Sequence, residues 1–334
     1  MIFYTIGELI MENKQKTIAI LTSGGDAPGM NAAIRAVVRT ALHRGMRVLG
    51  VRRGYNGLIN GDMVEMNFLS VSDIMHRGGT ILYTARCPEF REDAGVEKAK
   101  ETCLKMGIEG LVVIGGDGSY RGARDLSLKG IPCVGIPGTI DNDISSTEYT
   151  IGYDTAMNTV CDMVDRLRDT SQSHDRCSVV EVMGRKAGYI ALNTGIGCGA
   201  SVILMPEVEY DIQKDVIDKI ISSHRTGKQH FIVMVAEGIG GVEEIAKKIE
   251  EGTGIESRAC VLGHVQRGGA PTVTDRVAAT KMGYHAVELL EQGIGNRVVG
   301  LQCGEVVDYD ILEGLKMVKT IDMNTVKIAE EVAL

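Results

Sequence analysis

Thr17-Ile-Ala-Ile-Leu-Thr-Ser-Gly-Gly-Asp-Ala-Pro-Gly-Met-Asn31 joins a short apolar run, a glycine turn and the start of a periodic stretch. The run 17–22 reads as a buried strand. Beyond the turn, Met30, Ile34, Val37, Val38 and Ala41 recur at i, i+4, i+7, i+8 and i+11, one face of a helix that Gly45 stops. The same unit returns along the chain. Val96, Ala99, Cys103 and Met106 stripe a helix ending at Gly107, and Ala156, Val160, Met163, Val164 and Leu167 stripe another. Apolar runs at 111–114, 134–137, 178–182, 202–205 and 231–236 read as strands, and 242–252 as a charged helix. Strands alternating with helices of this length predict an α/β fold, mainly parallel sheets flanked by helices on both faces.

The chain has 334 residues, enough for two domains at about 150 residues each. No repeat, low-complexity segment or polar linker divides it, and a seam near Ile151 rests on size alone. Apolar residues at 44% and charged residues at 24% exclude a mainly disordered or fibrous chain. The 42 glycines exceed the usual share of about 7% and cluster in short runs, as phosphate-binding loops require. A net charge of −8 argues against nucleic acid or a membrane surface as the main partner. No apolar run approaches the roughly 20 residues of a membrane span. The first residues lack a basic region and a small-residue cleavage site, so no secretory leader is expected, and Met11 is a second candidate start beside Met1. The eight cysteines are scattered, with no C-x-x-C, which predicts reduced, mostly buried thiols in cytoplasm rather than a zinc site.

The chemistry lies in the loops. In Ser23-Gly-Gly-Asp-Ala-Pro-Gly-Met-Asn31, paired glycines let backbone approach a ligand, and free N–H groups at a helix start attract anions. A tight turn capped by Asp26 is the plainer reading, and a Walker A sequence is absent. Gly115-Gly-Asp-Gly-Ser119 places Asp117 to hold Mg²⁺ while backbone N–H groups meet phosphate oxygens, unless it is a simple turn. Pro137-Gly-Thr-Ile-Asp-Asn-Asp143 carries two carboxylates, one able to take a proton and the other to touch metal or orient its neighbour, unless it is an Asx-rich turn. Ligands of open α/β sheets sit at the carboxyl ends of strands, so the three loops are expected along one sheet edge. Arg86 and Arg91, Arg176, Met183-Gly-Arg185, Arg258 and Leu262-Gly-His-Val-Gln-Arg-Gly-Gly269 supply guanidinium groups suited to phosphate, although each Arg alone is more often a solvated surface charge. Gly195-Ile-Gly-Cys-Gly199 lacks the dinucleotide spacing and follows no clear strand; it reads as a turn.

In order and spacing, the five loops at 22–31, 115–119, 137–143, 182–185 and 262–269 resemble those of the bacterial type of ATP-dependent 6-phosphofructokinase, over essentially the whole chain from Thr17. The resemblance implies a cytoplasmic glycolytic homotetramer of two-domain subunits with the phosphofructokinase fold. A large ATP-binding domain would comprise residues 1–152 and 266–316, and a smaller fructose-6-phosphate domain residues 153–265 and 317–334. By matching position, Gly25, Arg86, Cys87, Gly116, Asp117, Gly118 and Ser119 would line the ATP site, with Asp117 contacting Mg²⁺. Thr139 and Asp141 would meet the sugar, Asp141 taking the proton of its 1-hydroxyl. Met183, Gly184, Arg185 and Glu237 would hold the sugar, and Arg185 would stabilise charge on the transferred phosphoryl. Arg176 and Arg258 would reach the 6-phosphate from a neighbouring subunit, beside His264 and Arg267. Pyrophosphate-dependent relatives typically carry Asp and Lys where Gly118 and Gly138 stand, so the small residues here favour ATP. A pyrophosphate-dependent or other sugar-phosphate kinase, or a catalytically silent nucleotide-binding homologue, are the competing readings.

The resemblance frays at the regulatory phosphate site, where the family binds ADP as activator and phosphoenolpyruvate as inhibitor. Arg35, Arg39, Arg168 and Lys228 match its cations. Phe68 stands in place of an Arg, Ser201 in place of a metal-contacting Glu, and Thr226 in place of a Lys. Effector control is therefore expected to be altered or weak.

Overall fold

The computed structural model describes residues 15–333, so the choice between Met1 and Met11 lies outside the described residues. From its N-terminal end the chain forms β1 (Thr17–Ser23), α1 (Met30–His43), β2 (Arg47–Val51), α2 (Gly54–Asn60), β3 (Met63–Met66), α3 (Asp93–Lys105), β4 (Gly110–Gly115), α4 (Asp117–Leu128) and β5 (Cys133–Pro137). It continues through α5 (Tyr153–Ser173), β6 (Cys177–Val182), α6 (Tyr189–Gly197), β7 (Val202–Leu204), α7 (Asp218–Arg225), β8 (Phe231–Ala236), α8 (Val242–Thr253) and β9 (Ser257–Val261). Last come α9 (Val273–Glu291), β10 (Arg297–Gln302), β11 (Glu305–Asp310), α10 (Ile311–Gly314) and α11 (Met323–Val332). The expected α/β class is what forms.

Two sheets organise these elements. A seven-stranded sheet runs in the order β11-β10-β5-β4-β1-β2-β3, and a four-stranded sheet in the order β7-β8-β6-β9. Among the described residues, only the edge strands β3 and β11 pair antiparallel. The central strands are apolar throughout because both of their faces are covered. Ile18, Ile20, Val112 and Ile114 pack beneath α1 and α9, while Ala19, Leu21, Leu111 and Val113 face the side of α2, α3 and α4. The α1 stripe read from the sequence is fully buried. Its closest helical neighbour is α9, where Gly283 lies so near α1 that a Cβ there would stand 2.8 Å from that of Ala36.

The chain crosses between the sheets after β5, after β9 and after α10. The first two crossings are tied together by side chains at two helix starts. Asp275 near the start of α9 accepts from the N–H groups of Gly152 (2.6 Å) and Thr155 (2.9 Å) at the start of α5, and from the hydroxyl of Tyr149. In return Thr272 donates its hydroxyl to Asp154 of α5 at 2.6 Å. Each helix thus supplies a cap or partner to the other.

The reading of residues 195–199 as a turn fails. Gly195 and Gly197 belong to α6 rather than to a turn, and only the end of that run leaves the helix. A Cβ at Gly195 would lie 2.4 Å from Ile203 Cδ1, so the small residue lets α6 sit down on β7. Close packing, not turn geometry, is what glycine serves there.

Candidate active site

Sheet register brings the glycine–aspartate loops together. Ser23 of β1 pairs with Gly115 of β4, and Gly115 with Pro137 of β5, so all three strands end at one level. Loops 24–29, 116–117 and 138–152 leave side by side, on one edge as expected. Gly29 caps α1 with a left-handed backbone (φ 103°), and a Cβ there would come within 2.6 Å of Ile151. No side chain caps α1, so Asp26 does not play the part of a simple cap. Thr84 donates to the Gly24 carbonyl at 2.7 Å, which lays the segment bearing exposed Arg86 and half-buried Cys87 against the first loop. Burial pushes the Cys87 thiol up.

Gly116 precedes α4, so Asp117, Gly118 and Ser119 form its first turn with their N–H groups at the positive end of the helix. Asp117 is partly exposed and held by Arg121 at 2.9 Å. Ser119 is buried. Space around Gly118 is open, with nothing within 4 Å of a Cβ placed there. Gly138 differs. Its Cβ would meet Ile114 Cγ2 at 2.9 Å and Met30 Cε at 3.2 Å, so its small size serves the core rather than leaving room for a nucleotide.

Among the described residues, no group of three or more His, Cys, Asp or Glu side chains is arranged to hold a metal ion. A single accessible carboxylate still suits Mg²⁺, which prefers to arrive on phosphate oxygens and to keep much of its water.

Asp141 is the most buried acid of the three loops. It is 2% exposed, its Oδ1 has no hydrogen-bond partner, and its backbone N–H donates to Thr139 Oγ1 at 3.2 Å. Burial raises its pKa to about 6; Asp143 adds to the rise, Arg267 and Arg185 oppose it, and Glu237 adds a little more. Asp143 is likewise raised, by burial above all, and lies 3.8 Å from the Arg185 guanidinium. Asn142 between them has a left-handed backbone (φ 51°).

The smaller sheet contributes from the carboxyl ends of β6, β8 and β9. The Glu237 N–H donates to the Val182 carbonyl at 2.8 Å, and Leu262 N–H to that of Glu181 at 3.1 Å. Arg185 is left-handed (φ 56°), which turns its N–H onto Glu237 Oε1 at 2.6 Å. Met183 donates to Gln266 Oε1 at 3.1 Å. Gln266, fully buried inside the 262–269 motif, thereby links two loops; the sequence displayed it without revealing that duty. Arg267 bridges the sheets by donating to the Asp26 carbonyl at 3.0 Å. A Cβ at Gly25 would lie 2.4 Å from Arg267 Nη1, so the small residue lets the Arg267 guanidinium lie against the first loop. His264 is exposed beside it.

Arg176 and Arg258 do not join this site within the chain. Arg176 precedes β6 and Arg258 is the second residue of β9, at the strand ends opposite the site, on the order of 15 Å away at about 3.3 Å per residue, and both bind Glu256. Arg35 and Arg39 form one cationic pair on α1; burial and mutual repulsion lower the pKa of Arg35, and Arg39 Nε is buried without a partner. Arg168, bonded to the Cys198 carbonyl, and Lys228 form a second pair on the smaller sheet's side. Phe68 is half exposed in a hollow shared with Arg39, His43 and Tyr284, Ser201 is buried with an unpartnered hydroxyl, and Thr226 is exposed.

The family profile described as Phosphofructokinase matches residues 17–290. An ATP-dependent 6-phosphofructokinase of Clostridium botulinum (strain Loch Maree / Type A3) is 58% identical over 314 residues, 94% of this chain and 98% of that protein. The chain belongs to the phosphofructokinase family. An ATP-dependent 6-phosphofructokinase of Bacillus velezensis is 54% identical across 96% of this chain and all of that one. The structure of phosphofructokinase from Saccharomyces cerevisiae superimposes with a TM-score of 0.85 at 35% identity, over 96% of this chain and about half (48%) of that longer chain. The phosphofructokinase fold expected from the loops is therefore the one present. Among the described residues no helix is long and apolar enough to cross a membrane.

Proposed function

We propose that this chain transfers the γ-phosphoryl of Mg-ATP to the 1-hydroxyl of fructose 6-phosphate, giving fructose 1,6-bisphosphate and ADP. The observation that carries the reading is the meeting of buried Asp141 with Arg185 and Arg267 between the loop ends of two sheets. In that arrangement a carboxylate lies beside guanidinium groups, the pairing that phosphoryl transfer demands. The names of its ATP-dependent relatives support the donor and acceptor.

In this mechanism Asp141 accepts the proton as the 1-hydroxyl oxygen attacks the γ-phosphorus, and the bond to the bridging oxygen breaks to release ADP. The raised pKa of Asp141 brings its basicity nearer to that of working pH. Arg185 stabilises charge on the phosphoryl in flight. Thr139 orients the Asp141 turn by accepting the Asp141 backbone N–H on its Oγ1, and meets the sugar. Met183, Gly184, Glu237, His264 and Arg267 hold the sugar phosphate. Gly25, Arg86, Cys87, Gly116, Gly118 and Ser119 line the nucleotide site, where the N–H groups of the α4 start face its phosphates. Asp117 would hold Mg²⁺, which supplies neutralisation of phosphate charge when bound.

The two sheets support the division into a large ATP domain (1–152, 266–316) and a smaller sugar domain (153–265, 317–334). Arg176 and Arg258, remote from their own site, serve a neighbouring subunit's 6-phosphate in a homotetramer. The two cationic pairs, Arg35 with Arg39 and Arg168 with Lys228, form the regulatory phosphate site, weakened by Phe68, Ser201 and Thr226. The eight free thiols suit a cytoplasmic enzyme. The test is formation of fructose 1,6-bisphosphate from fructose 6-phosphate, first with Mg-ATP and then with pyrophosphate. Product with ATP alone is expected. Product with pyrophosphate alone would overturn the donor, and no product with either would overturn the reading.

A further inference from the structure

We propose that Lys319 is a positioning residue for phosphoryl transfer, an ammonium clamp that holds the Asp141-Asn142-Asp143 turn from the last crossing between the two sheets. The inference rests on the functional reading above. Lys319 lies between α10 and α11, far from every loop the sequence singled out. Its Nζ donates to the Asn142 carbonyl at 2.8 Å, to Asn142 Oδ1 at 3.0 Å and to the Glu148 carbonyl at 3.2 Å. Three bonds use all three donors of an ammonium.

The residue being held is the one that needs holding. A left-handed backbone at a non-glycine residue persists only where its surroundings impose it. At Asn142 it separates the two carboxylates, so that Asp141 turns inward to 2% exposure while Asp143 faces Arg185. The clamp's far end is itself anchored. Glu148 donates its N–H to the Leu301 carbonyl at 3.0 Å and accepts from Cys303 N–H at 2.8 Å, which moors the loop to the end of β10. On its other side the ammonium lies 5.0 Å over the ring of Tyr189, the first residue of α6. One side chain thus spans the catalytic turn, the large sheet and a helix of the smaller one.

The charges around it define a pH signature. Asp143 and Glu148 face Lys319; Asp143 also faces Arg185 and Asp117; Asp141 faces Asp143, Glu237, Arg185 and Arg267; and Tyr189 faces Asp143 and Glu207. Burial lowers the Lys319 pKa to about 8 despite the two acids. A neutral amine keeps two donors, so the clamp loses a bond and its charge as pH rises through that value.

The experiment compares the full chain with K319M and K319R, reading kcat, KM for both substrates and the melting temperature from acid to alkaline pH. K319M is expected to lose about 100-fold in kcat, the scale of a roughly 1 Å misplacement, with both KM values within a few-fold of wild type. Wild-type kcat is expected to fall through about pH 8. K319R, whose guanidinium stays charged, should retain most turnover and lack that alkaline limb. K319M with wild-type kcat would overturn the inference, and so would K319R that keeps the limb, a comparison that stands even if K319M fails to fold. An inert wild-type chain would overturn the functional reading and this inference with it.

Discussion

Replacing Asp141 by Asn should make the protein more stable and far less active, both for the same reason. The Asp141 carboxyl is 2% exposed with an unpartnered oxygen, and its pKa is moved from 3.8 to about 6, by burial first and by Asp143 second, against Arg267 and Arg185. At about 1.4 kcal/mol per tenfold change in proton affinity, keeping this group ionised in the fold costs about 3 kcal/mol. Because the folded value lies above the unfolded one, the penalty is absent below pH 3.8, grows as pH rises toward about 6, and is complete above it. Asn has the same shape and no charge to desolvate. Its gain over wild type is therefore about 3 kcal/mol near pH 7 and close to zero near pH 4. Turnover should drop by about 10²-fold or more, the usual worth of a general base. Urea unfolding of both proteins at the two pH values, beside initial rates, measures each half. Equal stability at neutral pH would refute the claim that the carboxylate is held at a cost, and near-normal turnover would remove it from proton transfer.

Asp143→Asn removes the like charge that helps raise Asp141, so the acid limb of kcat/KM, near pH 6 in wild type, should move to lower pH; a limb that stays or rises contradicts the coupling. Gly118→Asp should fold with wild-type stability into open space yet raise KM for ATP. Gly138→Ala should instead lose about 1–3 kcal/mol by pressing on Ile114 and Met30, and equal melting of the two variants would show that their surroundings do not differ as described. ADP should activate weakly, because two missing cations at Phe68 and Thr226 forgo charge-assisted bonds of about 1.5–3 kcal/mol each. Strong activation at ordinary ADP concentrations would show that Arg35, Arg39, Arg168 and Lys228 suffice.

The α/β class and the glycine–aspartate loops at the strand ends were decided by sequence alone, because each depends on local order: apolar runs set strands, a repeat near every fourth residue sets helices, and glycine turns at their junctions set the loops. Thr17 to Asn31 already carries strand, loop and helix start in register with what forms. Gln266 was visible within a motif, but its bond to Met183 joins residues distant in the chain and leaves no local trace. Lys319 left no signal at all: one lysine of a short mixed stretch near the end of the chain becomes a clamp only when the last crossing lays it over Asn142. Two glycines show the same division. Gly195 looked like a turn and is a helix-packing contact, and Gly138 looked like room for a nucleotide and is core. What a glycine spares, what a lysine holds and how far a carboxyl's proton affinity moves all depend on neighbours tens or hundreds of residues away. Those distances are set by the sheets and the crossings between them, so only the tertiary structure decides them.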